Sequence, residues 1–489
     1  MARILLLSVL CFVFVLGCSK EEESPVDVTP PSSAVNALPA EVTSVPFSIS
    51  WSGTDSGSGI KHYDVQSRDG DGQWAEWLMA TSFTTSDFTG EDGHTYHFRC
   101  RAMDNAGNEE EYPDAADAHA TVSLGPTVGW EKTIGGAEQD ESRSVQQTDD
   151  GGYITAGSTR SYGAGGSDVY LVKLSASGEI EWDETYGASD NEGAWTVRQT
   201  SDGGYVIVAG TGSFGVQNGG VYLVKVTSVG GLEWERTFDG PGREETRSVI
   251  QTSDGGYIIT GSTNSIGAGG QDVYLIKVDS SGDLEWEAAF GGTESEIGVA
   301  ATQTADGGYM VAGATRSYGA GDFDIYLVKT DAAGALVWEK TYGTALKEEA
   351  IDMHQTSDNG FVVTGFTESG GGGGQDVYLL KTDSDGNLEW ESTFGGSDDE
   401  NGYSVRQTPD GGYIVAGWTY LSGPNPSDGF LMKTGPGGAL QWQRMFGGSE
   451  QEGFFEVDTT DDGGYIVAGH TSSFGAGGED IYIVKSAHN

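Results

Sequence analysis

Basic residues are scarce in this 489-residue chain: 25 Lys and Arg stand against 74 Asp and Glu, a formal charge of −49 at neutral pH. That balance excludes nucleic-acid binding through phosphates; it also favours solubility and repels anionic membranes. Cysteine is scarcer still. Cys11 and Cys18 lie near the N-terminus and only Cys100 lies in the body of the chain, so no disulfide framework is expected. The seven histidines (His62, His94, His97, His119, His354, His470 and His488) have no zinc-ligand spacing. No 3.6-residue apolar periodicity of helical length is present, and no glycine-rich loop precedes a helix. The long apolar run is confined to residues 1–17, too short to span a bilayer as a stable helix.

Glycine and tryptophan organise what remains. Trp130, Trp182, Trp234, Trp286, Trp338, Trp390 and Trp442 follow one another every 52 residues without slippage. One unit reads Ser144–Thr148, then Asp150-Gly-Gly-Tyr-Ile-Thr-Ala-Gly157, then Asp168–Lys173, then Glu181–Tyr186. These are four strand-length runs bounded by Gly, Ser, Asp or Asn. Asp-Gly-Gly between the first two is a hairpin signal, because Gly and Asp tolerate the positive φ of primed turns. The Asp recurs at 202, 254, 306, 358, 410 and 462 and is read as turn chemistry rather than a metal ring. The third run is apolar on both faces, as in a strand covered on each side. A repeat of this length predicts a β-propeller. The array opens on a fourth-strand segment, Trp130–Ile134, and ends on a third, Asp480–Lys485. Seven blades are therefore expected, with the N-terminal strand closing the ring and removing open edges. The longer spacing from Tyr205 to Gly210 predicts a β-bulge in that blade's second strand.

Before the array, one basic residue and a short apolar run form a secretory signal over 1–17. Val15-Leu-Gly-Cys18 resembles the lipobox of bacterial lipoproteins, which implies cleavage before Cys18 and acylation (palmitate included) of that cysteine. Ser19 followed by Lys20-Glu-Glu-Glu23 is similar to the start of an outer-membrane or surface-exported lipoprotein. Residues 18–31 make a short, stiff lipidated tether. Residues 32–124 lack the repeat and show alternating runs around Phe47–Trp51, Ile60–Val65 and Thr95–Ala102. With Trp51, Tyr63 and Tyr96 in place, this stretch resembles a fibronectin type III or bacterial immunoglobulin-like sandwich. Cys100 shares the parity of Phe98 and Ala102 and is expected in its core. The fold class is thus all-β: an immunoglobulin-like sandwich (32–124), then a seven-bladed propeller (125–489).

Two features of the array carry chemistry. An acidic column, Asp140, Glu192, Glu244, Glu296, Glu348, Glu400 and Glu452, precedes the first strand of each unit. A second, Asp168, Asp272, Asp324, Asp376, Asp428 and Asp480, opens the third strand and is interrupted at Gly220. Calcium needs six to eight oxygens. Strands two apart in one sheet lie about 9.6 Å from each other, so the columns chelate one ion only if the loops fold inward. Backbone-capping carboxylates and a cation site both remain open readings. The second feature breaks the symmetry. The end of the second strand carries Ser158, Gly210, Ser262 or Ala314, then Phe366, Trp418 and His470. Tyr403 and Phe455 join them from the first strands, and Tyr420 lies nearby. Such a group can stack on sugar faces or anchor a protein, or else pack between blades.

The array resembles secreted bacterial β-propeller repeat proteins built on Asp-Gly-Gly-Tyr, Val-Ala-Gly and Asp-Val-Tyr-Leu-Val-Lys, a resemblance that implies a fold but no single activity. Every unit keeps the same span, so no inserted loop carries catalytic groups, and no enzyme is expected. The reading is a lipid-anchored, non-catalytic surface protein binding a glycan or protein ligand, with no cofactor beyond an open calcium question. An outer-membrane assembly scaffold and a glycan lyase or hydrolase are the rival readings.

Overall fold

The computed structural model describes residues 26–487 except 43–44, 92, 124, 217, 371–373 and 421–426. The signal segment and Cys18 therefore lie outside the described residues. The described chain is all-β and divides into two compact units, with the boundary between Val122 and Ser123. Among the described residues no helix is long and apolar enough to cross a membrane.

The first unit has two sheets. One pairs Ser32–Val35, Phe47–Thr54 and Thr85–Phe88; the other pairs Glu41–Val42, Ala118–Val122, Thr95–Asp104, Ile60–Asp69 and Ala75–Thr81. Burial alternates along Phe47–Thr54 and Thr95–Asp104, as the strand period of two requires. The buried faces meet in an aromatic cluster of Phe47, Phe88, Phe98 and Trp77, with Trp51 edge-on to Trp77 at 6.1 Å. Cys100 is fully buried here, and burial pushes its thiol up to about 12.

The second unit is seven four-stranded antiparallel sheets, numbered I to VII in chain order. Sheet I runs Asp140–Gln147, Tyr153–Thr159, Asp168–Leu174 and Ile180–Tyr186. Sheet VII takes Glu452–Thr459, Tyr465–Thr471 and Asp480–Ser486 from the C-terminal end and its fourth strand, Val128–Ile134, from before sheet I. No sheet closes on itself. Instead each first strand packs beside the first strand of the next sheet, and that of sheet VII packs beside that of sheet I. Repeated four-stranded sheets in this arrangement are consistent with a β-propeller.

The third strands are buried along nearly their whole length, as their two-sided apolarity predicts. The fourth-strand tryptophans are half-buried, apart from buried Trp442. Six of the seven set their rings beside a second-strand tyrosine of the following sheet, at 5.5–6.1 Å between centroids. The Asp-Gly-Gly aspartates are turn residues with an added partner. Asp150 accepts from Thr148 Oγ1 and Gly152 N, and its carboxylate meets the buried Lys173 ammonium at 3.0 Å. The same lysine–aspartate pair recurs in all seven sheets. Burial alone would raise the Asp150 carboxyl, but its hydrogen bonds and Lys173 hold it to about 2.

The bulge expected in Tyr205–Thr211 is not there: that strand pairs with Gly220–Val226 without a register shift. The apparent extra residue is a substitution, with Ala209 standing where sheet I has Gly157. The bulges lie elsewhere, and in every sheet.

Candidate functional site

In each first strand the register slips at the same place, between Ser142 and Ser144 in sheet I and at the corresponding pair in sheets II to VII. The residues passed over are Arg143, Trp195, Arg247, Val299, Ile351, Tyr403 and Phe455. A bulged residue has no partner across the ladder and re-aims its side chain. All seven line one cavity of about 530 Å³. The bulge also brings the Glu141 carbonyl over the second strand, where a Cβ at Gly157 would lie 1.9 Å from it; glycine fills this position in six of the seven sheets. A repeated backbone defect thus turns a seven-residue ring toward a common space, and the side chains there are free to differ.

They differ by sector. Toward sheets VI and VII the wall is aromatic: Tyr403 contacts Phe455 edge-on at 5.3 Å and Trp418 at 6.1 Å, and Trp418 contacts Tyr420 at 5.9 Å. Trp418 and Tyr403 are half-buried, Tyr420 is exposed, and the Trp418 Nε1 donor has no partner. Across sheets I to III the wall is cationic. Trp195 lies between Arg143 and Arg247, whose guanidinium carbons stand 4.7 and 3.9 Å from its ring centre. Arg143 also caps Phe455 at 4.4 Å. Arg247 is weakly neutralised: its nearest carboxylate, on Glu245, is 4.0 Å away. Burial, with the like charge of Arg143, lowers its pKa despite Glu245. Four cations of the 25 in the chain (Arg143, Arg198, Arg247, Lys347) line this one cavity.

A charge network lies along one side of the cavity. Glu456 accepts from Arg198 at 2.7 Å, Arg406 at 2.6 Å and Ser144 Oγ at 2.5 Å, while Arg406 also reaches Asp352 at 2.8 Å. Arg198, Asp352, Arg406 and Glu456 come from the first strands of sheets II, V, VI and VII, so this network ties non-neighbouring sheets together. Burial and the charges of Arg406 and Arg198 depress His354 to about 3, so it is neutral at physiological pH.

Of the aromatic residues expected to bind ligand, Tyr403, Trp418, Tyr420, Phe455 and Phe366 line the cavity. Phe366 is only 6% exposed and lies under Lys347 at 5.0 Å, so it supports the wall rather than offering a free face. His470 does not line the cavity: its ring lies tilted against Phe455 at 5.4 Å, and burial lowers its pKa. The sequence reading missed Trp195, Arg143 and Arg247, although all three stand in the same 52-residue column as Tyr403 and Phe455.

Within a sheet the acidic columns stand two strands apart, as expected, Asp140 pairing with Thr159 and Thr159 with Asp168. The close partners lie across the sheet junctions. Each third-strand aspartate faces the first-column acid of the next sheet across the junction: Asp168 meets Glu192, Asp272 meets Glu296, and Asp480 meets Asp140. The first-column acids do cap loops. Glu296 accepts from Thr315 Oγ1, Ser317 N and Gly292 N at 2.8–3.0 Å.

No protein-family model and no curated protein sequence matches the chain. Among solved structures it is similar to an extracellular domain assigned to a hybrid two-component system of B. thetaiotaomicron, at 11% identity and a TM-score of 0.43 over 93% of this chain. The chain spans 58% of that domain's length. It is also similar to the β-propeller domain of the Trilobed protease from Pyrococcus furiosus (10% identity, TM-score 0.41, covering 73% of this chain and 94% of that one). A third is an endo-arabinase from Bacteroides thetaiotaomicron, at 12% identity and a TM-score of 0.28, covering 55% and 95%. At these identities and scores none of them assigns an activity to this chain.

Proposed function

We propose that the protein is an exported, non-catalytic binding protein that holds a ring-bearing, anionic ligand, a glycan with acidic groups, in the cavity built by the seven bulges. In this reading the second unit is a seven-bladed propeller closed by Val128–Ile134, and the first is a fibronectin type III or immunoglobulin-like module. Acylation at Cys18 tethers both to the outer membrane or cell surface. The observation that carries the reading is the bulge ring: the residue passed over in each first strand is Arg, Trp, Arg, Val, Ile, Tyr or Phe, and all seven line the cavity. The volume suits a small ligand, since such sites commonly span about 300–1,000 Å³. Stacking on Tyr403 and Trp418 serves sugar faces, worth about 0.5–1.5 kcal/mol per ring. Arg143 and Arg247 supply charge-assisted donors to carboxylate or sulfate. Three of the carboxylates lining the cavity are tied up in ion pairs, Glu456 with Arg198 and Arg406, Asp352 with Arg406 and Glu349 with Lys347, which favours binding over turnover.

Screening the full chain on an array of neutral, uronate-bearing and sulfated glycans tests this. Acidic glycans should bind, and Trp418→Ala should weaken them at least tenfold with the fold intact by circular dichroism. Arg247→Gln should abolish the preference for acidic over neutral sugars. Binding of neutral sugars alone, or binding that survives both changes, refutes the assignment. Cys18→Ser should move the protein from the membrane pellet to the soluble fraction; continued pelleting would refute the anchor.

A further inference from the structure

Six of the seven sheet junctions bring two carboxylates together, both of them buried at four junctions, and among the described residues no salt bridge reaches either member of these pairs. At the junction of sheets III and IV, Asp272 and Glu296 are 1% and 0% exposed. A Cβ at Gly291 would lie 2.2 Å from Glu296 Oε2 and 2.3 Å from Asp272 Oδ1, so these two oxygens are at most 4.5 Å apart. Oδ1 of Asp272 has no hydrogen-bond partner, although it is buried; its other oxygen accepts from Ala268 N at 3.1 Å. The junction of sheets VII and I repeats this. Asp480 Oδ1 is likewise unpartnered, its carboxylate is 1% exposed, and Asp140 faces it across Gly135. Three basic residues beside junction acids pair with other carboxylates: Arg243 with Glu245, Arg316 with Asp322 and Lys347 with Glu349.

A loop-capping role alone does not account for this. Capping the loop backbone requires an oxygen acceptor, which Asn or Ser supplies without a buried charge. Yet the first column is Asp or Glu in all seven sheets, and the second is Asp in six. The exception keeps the count. Where Gly220 replaces the aspartate, the wedge glycine of the other junctions becomes Asp239, so an acid and a glycine have exchanged sides. A Cβ at Gly220 would stand 3.4 Å from the Asp239 Cβ. Two acids therefore stand at this junction as well, although Asp239 is exposed where the aspartates of most other junctions are buried. Burying an unpaired carboxylate costs several kcal/mol unless it is neutralised. A hard divalent cation takes oxygen ligands and offsets two negative charges at once.

We propose that the sheet junctions of the second unit bind divalent cations of the calcium class. The unpartnered aspartate oxygen and the facing acid supply the charged ligands, and loop carbonyls and water complete the shell. The ions would fasten each sheet to the next at the end where the cavity opens.

The test uses the full chain carrying Asp55→Asn, because Asp27, Asp55 and Asp104 in the first unit also bring carboxylate oxygens within 4.8 Å of one another. The protein is stripped with EDTA, and calcium is then counted by equilibrium dialysis at neutral pH. Bound calcium is expected, with a higher melting temperature than the stripped protein. The double variant Asp272→Asn/Glu296→Gln should bind one ion fewer, with circular dichroism unchanged. If that variant does not fold, Asp480→Asn/Asp140→Asn provides the same count at another junction. An unchanged count in a folded variant, or no calcium at millimolar concentration, overturns the proposal. The same holds if the stripped protein is stabilised only by lowering the pH, because the pairs then share protons instead.

Discussion

Sheet IV differs from sheets I, II, III and V in a way that sets up a sharp comparison. In sheets I, II, III and V the buried lysine meets two carboxylates, one from the turn and one from the fourth strand: Lys277, for example, meets Asp254 at 3.0 Å and Glu285 at 2.9 Å. In sheet IV the fourth-strand position is Val337, so Lys329 meets Asp306 at 3.0 Å and otherwise only the Thr330 carbonyl at 2.8 Å. Stripping a fully buried pair of one partner costs about 3–5 kcal/mol, whereas a solvent-exposed pair is worth under about 1 kcal/mol. Lys329 is nearly buried but Asp306 is two-thirds exposed, so water reaches one side of the pair. Asp306→Asn should therefore cost about 2 kcal/mol. Asp254→Asn should cost about 1 kcal/mol or less, since Glu285 still neutralises Lys277. Equilibrium urea unfolding followed by tryptophan fluorescence gives both values. Val337→Glu, which supplies the missing carboxylate at a site 58% exposed, should recover most of the loss in the Asp306→Asn background. Equal costs at the two sites, or no rescue by Val337→Glu, would refute the view that these lysines are held by charge.

Three further outcomes are expected. In calcium-free buffer, where no ion neutralises the junction pairs, stability should peak in mild acid. The junction aspartates 168, 272, 324, 376 and 428 are raised by burial, so they oppose folding at neutral pH and cease to as pH falls through their folded values. The turn aspartates 150, 202, 254, 306, 358, 410 and 462 are held to about 2 against a usual 3.8, so their stabilisation is present above pH 4 and lost as pH falls toward 2. Melting temperatures across pH 2–8 check this, and a monotonic rise with pH contradicts it. Gly261→Ala should destabilise by about 1–3 kcal/mol, because its Cβ would meet the Glu245 carbonyl at 1.9 Å, whereas Ala209→Gly in sheet II should cost under about 1 kcal/mol. Deleting residues 128–134 removes the fourth strand of sheet VII and should lower stability by several kcal/mol, read as an earlier, broader urea transition; an unchanged transition would mean that this strand is dispensable.

What the sequence makes legible follows from which constraints act within one repeat and which act between repeats. Strand order, the Asp-Gly-Gly turns and the two-sided third strand are local, so a 52-residue period exposes them directly, and the seven sheets match it. The completion of sheet VII by Val128–Ile134 was readable because the array starts and stops at different strands. The bulge column does not stand out in the sequence. Positions 143, 195, 247, 299, 351, 403 and 455 vary, but so do the positions on either side of them, such as Ser142, Ala194, Thr246, Gly298 and Phe454. Arg143 and Arg247 carry no signal of their own, because a lone arginine on a strand ordinarily marks a solvated face. The junction pairs were beyond reach for a different reason. Asp272 and Glu296 belong to different sheets, and spacing within one sheet places their columns about 9.6 Å apart. Only the packing of sheet on sheet shows that an acid opening one third strand answers the acid opening the next first strand. The exchange of Gly220 and Asp239 was the one trace of that pairing in the sequence, and it reads as an interruption until the junction is seen in three dimensions.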